Sequence, residues 1–159
     1  LYGIDPYFPL MFALIGVSVA LASLINARLV VRVGTAGMLK LASASLGVLS
    51  IVFAFLAADG HPHFAIFQGM LLAFMFCKGL AFSNCNALAI EPHGDIAGFA
   101  SAMIGAGTMI LGAGVAQYIG RFYDSSLAGF SVAYAFICVI SAVLVWVVNR
   151  RSAAFSPAA

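Results

Sequence analysis

Five long apolar stretches, separated by residues that stop helices, constrain this chain more than any other feature. A membrane span needs about 20 predominantly apolar residues, within a range of about 17–25. The stretches run over about residues 9–25, 38–58, 64–90, 96–119 and 127–148. Gly34-Thr35-Ala36-Gly37, Asp59-Gly60-His61-Pro62, Glu91-Pro92-His93-Gly94-Asp95 and Asp124-Ser125-Ser126 separate them, and Asp5-Pro6 precedes the first. Gly, Pro and Asp are the residues that end helices and build turns. Asp95 is also placed to cap the fourth helix, where an anion suits the dipole.

Barrel strands would alternate polar and apolar residues. These stretches are apolar all round and too long for strands. In hydrocarbon the backbone must satisfy its own hydrogen bonds, which a continuous helix does. Composition agrees. The chain is 64% hydrophobic and 8% charged, against about 45–50% and about 25% for a soluble domain. Such a chain cannot cover a water-facing surface, which argues against a soluble enzyme, and it is far too apolar to be disordered. The expected fold is an all-α integral membrane protein with five transmembrane helices.

A net charge of +2, scattered along the chain, does not suit a nucleic-acid binder. Cys77, Cys85 and Cys138 lie in apolar runs without a CxxC pair, and read as buried, reduced, small hydrophobes. The sequence opens on Leu1, with no basic segment ahead of an apolar core; the expectation is a piece of a longer protein rather than one with a signal peptide.

Orientation follows the basic residues. Arg28, Arg32 and Lys40 flank the first turn, and Arg150 and Arg151 follow the last span, so one side holds five of the seven Lys and Arg. The other side holds Arg121, and Lys78 lies within a span. The positive-inside rule puts the basic side, with the C-terminus, in the cytoplasm, and Leu1–Phe8 outside. Tyr118, Tyr123, Tyr134 and Trp146 fall near span ends, as interfacial aromatics do. The tail 152–159 is expected to be disordered.

The stretch Asn26-Ala27-Arg28-Leu29-Val30-Val31-Arg32-Val33-Gly34 sets two arginines four residues apart on one helix face, ahead of a glycine that permits a tight turn. On physics alone it is an anchor of positive charge. It resembles, however, the cytoplasmic-loop motif of the major facilitator superfamily, and more closely the loop between helices 8 and 9 of the Bcr/CflA-type multidrug efflux transporters. Downstream, Asn84, Ala87-Leu88-Ala89, Pro92, Asp95, Ala97-Gly98 and Ala100-Ser101-Ala102 resemble that family's connection from helix 10 to helix 11. The chain departs from the family at Ser83, where Pro is common, at Thr35-Ala36, where basic residues are common, and at Val31, which replaces the acidic residue of the strict motif.

The resemblance implies that residues 1–151 are most of the C-terminal six-helix half of a twelve-helix fold, with the five spans matching helices 8 to 12. Helices 1 to 7 of the same transporter would then be missing partners. It implies export of small apolar or amphipathic drugs in exchange for protons, from a bacterial inner membrane. Substrate would sit near the midplane between two halves that rock against each other. The alternative is a self-contained five-span scaffold or subunit of a complex.

Several residues stand out as candidates. Lys78 lies about twelve residues from one end of its span and about fourteen from the other. A cation near the bilayer centre costs at least about 2.5–3.5 kcal/mol on insertion scales. Lys78 is therefore a candidate for the substrate or ion pathway, with packing against neighbouring helices, or a break of the span at Lys78-Gly79, as rival readings. Gln68, Asn84 and Gln117 are further pathway candidates, and amides in membranes commonly join helices. Asn26, Arg28, Arg32, Gly34, Glu91 and Asp95 form a candidate cytoplasmic gate, in which an ion pair joins the two loops when that face is closed. In the fourth span, Gly98, Ser101, Gly105 and Gly112 belong to small-residue columns that let backbones approach closely.

No catalytic signature is present: there is no phosphate loop, HExxH or GxSxG. All five acidic residues fall at loop positions. His61 and His63 have no third ligand nearby, and His93 belongs to the opposite side. No metal, cofactor or enzymatic activity is expected.

Overall fold

The computed structural model describes residues 7–58, 62–121 and 127–155. The Asp5-Pro6 and Asp124-Ser125-Ser126 turns, Asp59-Gly60-His61, Tyr123 and residues 156–159 lie outside them.

The chain is all-helical. Five helices follow one another: α1 (Phe8–Val33), α2 (Thr35–Ala57), α3 (Phe64–Ile90), α4 (Ala97–Gly120) and α5 (Leu127–Phe155), with a 3₁₀ segment (Glu91–Ile96) between α3 and α4. Each of the five is long and apolar enough to cross a membrane, and the chain is a multi-pass membrane protein.

Two helices outrun their apolar stretches. α1 continues past Ile25 through Arg28 and Arg32 to Val33. Arginine is a good helix former, so leaving the hydrocarbon does not end the helix; Gly34 does. α5 continues past Ser152, where the sequence suggests a tail, to Phe155. Ala153 and Ala154 favour helix, and no breaker stands before Pro157. Within α3, Lys78-Gly79 does not interrupt the helix.

α1 and α3 run the same way, since Ser18 meets Leu72 and Asn26 meets Asn84, and α2 runs against α5, with Lys40 near Trp146 and Gly47 near Ala142. α2 is the hub, packing along α5 and α3, while α1 packs along α3. Small residues set these contacts, as expected where lipid supplies no hydrophobic drive between helices. A Cβ on Gly47 of α2 would stand 3.6 Å from Ala142 Cβ of α5. A Cβ on Gly79 of α3 would stand 3.1 Å from Ala22 Cβ of α1. Buried serines accompany them: Ser18 of α1 donates to the Leu72 carbonyl of α3 at 2.7 Å, and Ser50 and Ser131 bond back to their own helices. The packed centre is Ala22, Met38, Ala42 and Leu80, backed by Val30, Phe76 and Ala81.

α4 stands apart. Among the described residues it touches only α3, α5 and the 3₁₀ segment, and lightly. None of its membrane-length window is buried.

Candidate functional site

The α1–α2 bend is built from one residue. Gly34 has φ 78° and ψ 157°, a conformation essentially restricted to glycine. Its N–H donates to the Val30 carbonyl at 2.8 Å, and its carbonyl accepts from the Met38 N–H at 3.0 Å. The bend therefore closes α1 and opens α2 with no loop between them. Arg28 and Arg32 are exposed on the last turns of α1, and cations there favour the helix dipole.

Glu91 and Asp95 are also exposed. No ion pair joins them to Arg28 or Arg32 among the described residues, and no side-chain hydrogen bond from Asp95 caps α4. Instead the 3₁₀ segment runs straight into Ala97.

Asn26 and Asn84 come together. The Asn84 Nδ2 donates to Asn26 Oδ1 at 2.6 Å and to the Leu80 carbonyl at 2.7 Å. Asn84 is 1% exposed. Its amide is thus committed to joining α1 and α3.

The other amides differ. Gln68, on the first half of α3, has a buried Nε2 with no hydrogen-bond partner among the described residues. A buried unpaired amide costs about 1–3 kcal/mol, so Gln68 is a polar point that a further helix or a solute would satisfy. Gln117 is exposed on α4. Gly98, Gly105 and Gly112 are open, with no atom of another helix within 4 Å of an added Cβ, and Ser101 is exposed. At these glycines no other described helix packs against α4.

Lys78 is exposed, halfway along α3. It follows Phe67, Leu71 and Phe74 at eleven, seven and four residues' spacing along one face of α3. Across the helix contact, Cys138 of α5 lies beside Ser50 and Tyr134.

That same face of α3 lines a cavity that the sequence did not single out. It is about 260 Å³ in volume, between α2, α3 and α5, and is walled by Phe53, Phe67, Phe74, Phe130, Tyr134 and Met70 with Leu71 and Met75. The rings interlock: Phe74 meets Phe53 edge-on at 6.0 Å and Tyr134 edge-on at 5.3 Å, and Phe130 stacks on Tyr134 at 6.2 Å. Tyr134 therefore belongs to an internal aromatic cluster. The Arg150 guanidinium lies 3.7 Å over the Trp146 ring.

Cys77, Cys85 and Cys138 are free thiols. Cys85 is exposed rather than buried, because the face of α3 that carries it meets no other helix here. His63 caps α3, its Nδ1 accepting from the Ala65 N–H at 3.4 Å. No group of three metal-ligating side chains exists among the described residues.

The chain is 32% identical over 155 aligned residues to the lincomycin resistance protein of Streptomyces lincolnensis. That alignment covers 91% of this chain and 32% of the relative. The chain thus spans about a third of the length of the curated relative it matches. No family model and no solved structure matches it.

Proposed function

We propose that the chain is part of a drug exporter of the major facilitator type, contributing helices 8 to 12 to an alternating-access cycle that expels small apolar or amphipathic molecules in exchange for protons. The similarity to a resistance protein along nearly the whole chain carries this reading. The bare surface of α4 and the open glycine columns are consistent with it, because a second helical half would cover them.

In this reading the basic side faces the cytoplasm. Asn84 and Asn26 hold α1 against α3, so that Arg28 and Arg32 keep a fixed place beside the bend. Their exposed charges pair with Glu91 or Asp95 when that face closes. An exposed pair is worth about 0–1 kcal/mol, enough to bias two states and not to lock one. Lys78 supplies the mid-membrane cation that meets an anionic or acceptor group of the solute. The aromatic cavity, at about 260 Å³, is smaller than the pockets of about 300–1,000 Å³ that hold whole drug-sized ligands. It would take one apolar part of a molecule while the missing half provides the rest. Gln68 and Gln117 are the remaining polar groups on the pathway. Coupling to protons falls to the missing part, since every acidic residue here lies outside the apolar stretches.

The test uses the full-length protein that carries this chain, reconstituted in liposomes. Drug-dependent proton flux is the expected result. A folded protein that moves neither drug nor protons would overturn the reading in favour of a scaffold or subunit. Reversing the charges at Arg32 and Asp95 together should restore transport lost in either single reversal.

A further inference from the structure

We propose that the groove between α2 and α5 on the Gly34 side holds an anionic glycerophospholipid. Nothing in the export reading requires it, and it rests on a different face of the molecule from the aromatic cavity.

The groove has a volume of about 410 Å³ and is lined from α2 by Lys40, Ala44, Gly47, Val48 and Ile51, and from α5 by Val139, Ala142, Val143 and Trp146. On each helix those positions recur at helical spacing along one face. Its floor is made of the small residues at the helix contact, where a Cβ on Gly47 would stand 3.6 Å from Ala142 Cβ. Its walls are the exposed side chains of Val48, Ile51, Val143 and Trp146. The result is a narrow apolar trough that opens outward.

Length and charge identify the occupant. Lys40 to Ile51 is eleven residues of helix, about 16 Å at about 1.5 Å per residue. One leaflet of hydrocarbon is about half of about 30 Å. The trough therefore runs about the depth of one leaflet and ends near the midplane. All of its charge is at the other end. Lys40 stands there, and Arg150 is held over the Trp146 ring at 3.7 Å. An acyl chain fits the apolar length, and a phosphate fits two cations flanking an interfacial indole. Among the described residues no carboxylate lines the groove, so none of them supplies an anion to the cations at its mouth. A helix of the same protein, or a second copy, would bring the required negative charge only through an acidic residue placed at that mouth.

Trp146 is the only tryptophan of the chain, and it reports on the groove directly. The experiment places the full-length protein, with any tryptophan outside this chain replaced by Phe, in bilayers containing brominated phosphatidylglycerol or brominated phosphatidylcholine. Quenching of Trp146 should give a relative binding constant at least about fivefold in favour of phosphatidylglycerol, the gain expected of one cation near an anionic surface, with the second cation adding to it. The preference should vanish in the Lys40→Gln/Arg150→Gln double variant and persist in Lys40→Arg/Arg150→Lys. It should also vanish in Ala44→Phe, which fills the trough and keeps both charges. Equal quenching by the two lipids overturns the proposal. So does a preference that survives Ala44→Phe, which would mean diffuse attraction to surface charge. Failure of either lipid to quench would mean that protein covers the groove, and overturns it as well. Loss of export in the liposome assay moves none of these readouts.

Discussion

Asn84 of α3 donates its side-chain amide to the Asn26 carbonyl oxygen of α1 at 2.6 Å, two residues before the first arginine of the bend. The bond ties the most recognisable motif of the chain to a helix 58 residues away. Interhelical hydrogen bonds in membranes contribute about 0.6 kcal/mol on average and up to about 1.7. Asn84→Ala should lower stability by about 1–2 kcal/mol, since the 1% exposed site also loses volume. Unfolding in mixed detergent micelles measures it, and an unchanged midpoint would show that the amides are not coupled.

Gly79 and Gly105 look alike in sequence and differ in surroundings. Gly79 faces Ala22 at 3.1 Å from an added Cβ, whereas Gly105 faces open space. Gly79→Leu should destabilise the chain by about 1–3 kcal/mol or more through overpacking. Gly105→Leu should leave the isolated chain as stable or slightly more so, because leucine is the better helix former by about 0.8 kcal/mol. In the full-length protein Gly105→Leu should impair folding or transport, if a partner helix lies on α4. Equal effects in both contexts would remove the case for that partner.

Phe74 touches both Phe53 and Tyr134 and is 6% exposed. Phe74→Ala would join its own volume to the existing cavity, and should cost about 3–5 kcal/mol. Met70→Phe at the cavity wall should instead narrow the space with a cost under about 1–3 kcal/mol. Export of bulky apolar drugs should then fall more than stability does, as paired thermal unfolding and resistance assays would reveal.

Lys78→Gln removes the mid-helix cation and leaves a shorter, neutral polar side chain in its place. In the full-length protein we expect a changed range of exported drugs, with anionic compounds affected most and protein levels retained. Lys78→Arg should keep the original range. Identical drug profiles for Gln, Arg and Lys would assign Lys78 to packing alone.

Gly34→Ala places a Cβ at φ 78°, ψ 157°, in a region that costs a non-glycine residue about 1–3 kcal/mol. There is space for the methyl group, so the penalty is conformational and not steric crowding by neighbours. A midpoint lowered by that amount in the same micelle assay is the expected outcome; no change would mean that the bend relaxes freely.

The number and type of helices were legible in the sequence because length and uniform apolarity suffice for that. The glycine bend was legible for a similar reason, since a lone Gly34 after a basic helix end leaves few alternatives. The aromatic cavity was not. In helices apolar all round, Phe67, Phe74 and Tyr134 show no contrast between faces, so which rings meet is decided by helix rotation, which composition does not encode. The Asn26–Asn84 bond was hidden for another reason: each amide was visible as a polar residue in an apolar run, but partnership across 58 residues depends on the α1–α3 register.

The one-residue bend has a mechanical consequence. The Gly34 N–H is spent on α1 and its carbonyl on α2, so the backbone on either side is already committed to helix. The angle between the two helices is then governed by a single pair of torsions, φ and ψ of Gly34. Any motion that opens or closes the arginine-bearing end relative to α2 must pass through that pair, as a door's travel passes through its pin. A spectroscopic label on each side of Gly34 would report that motion as a change in one angle.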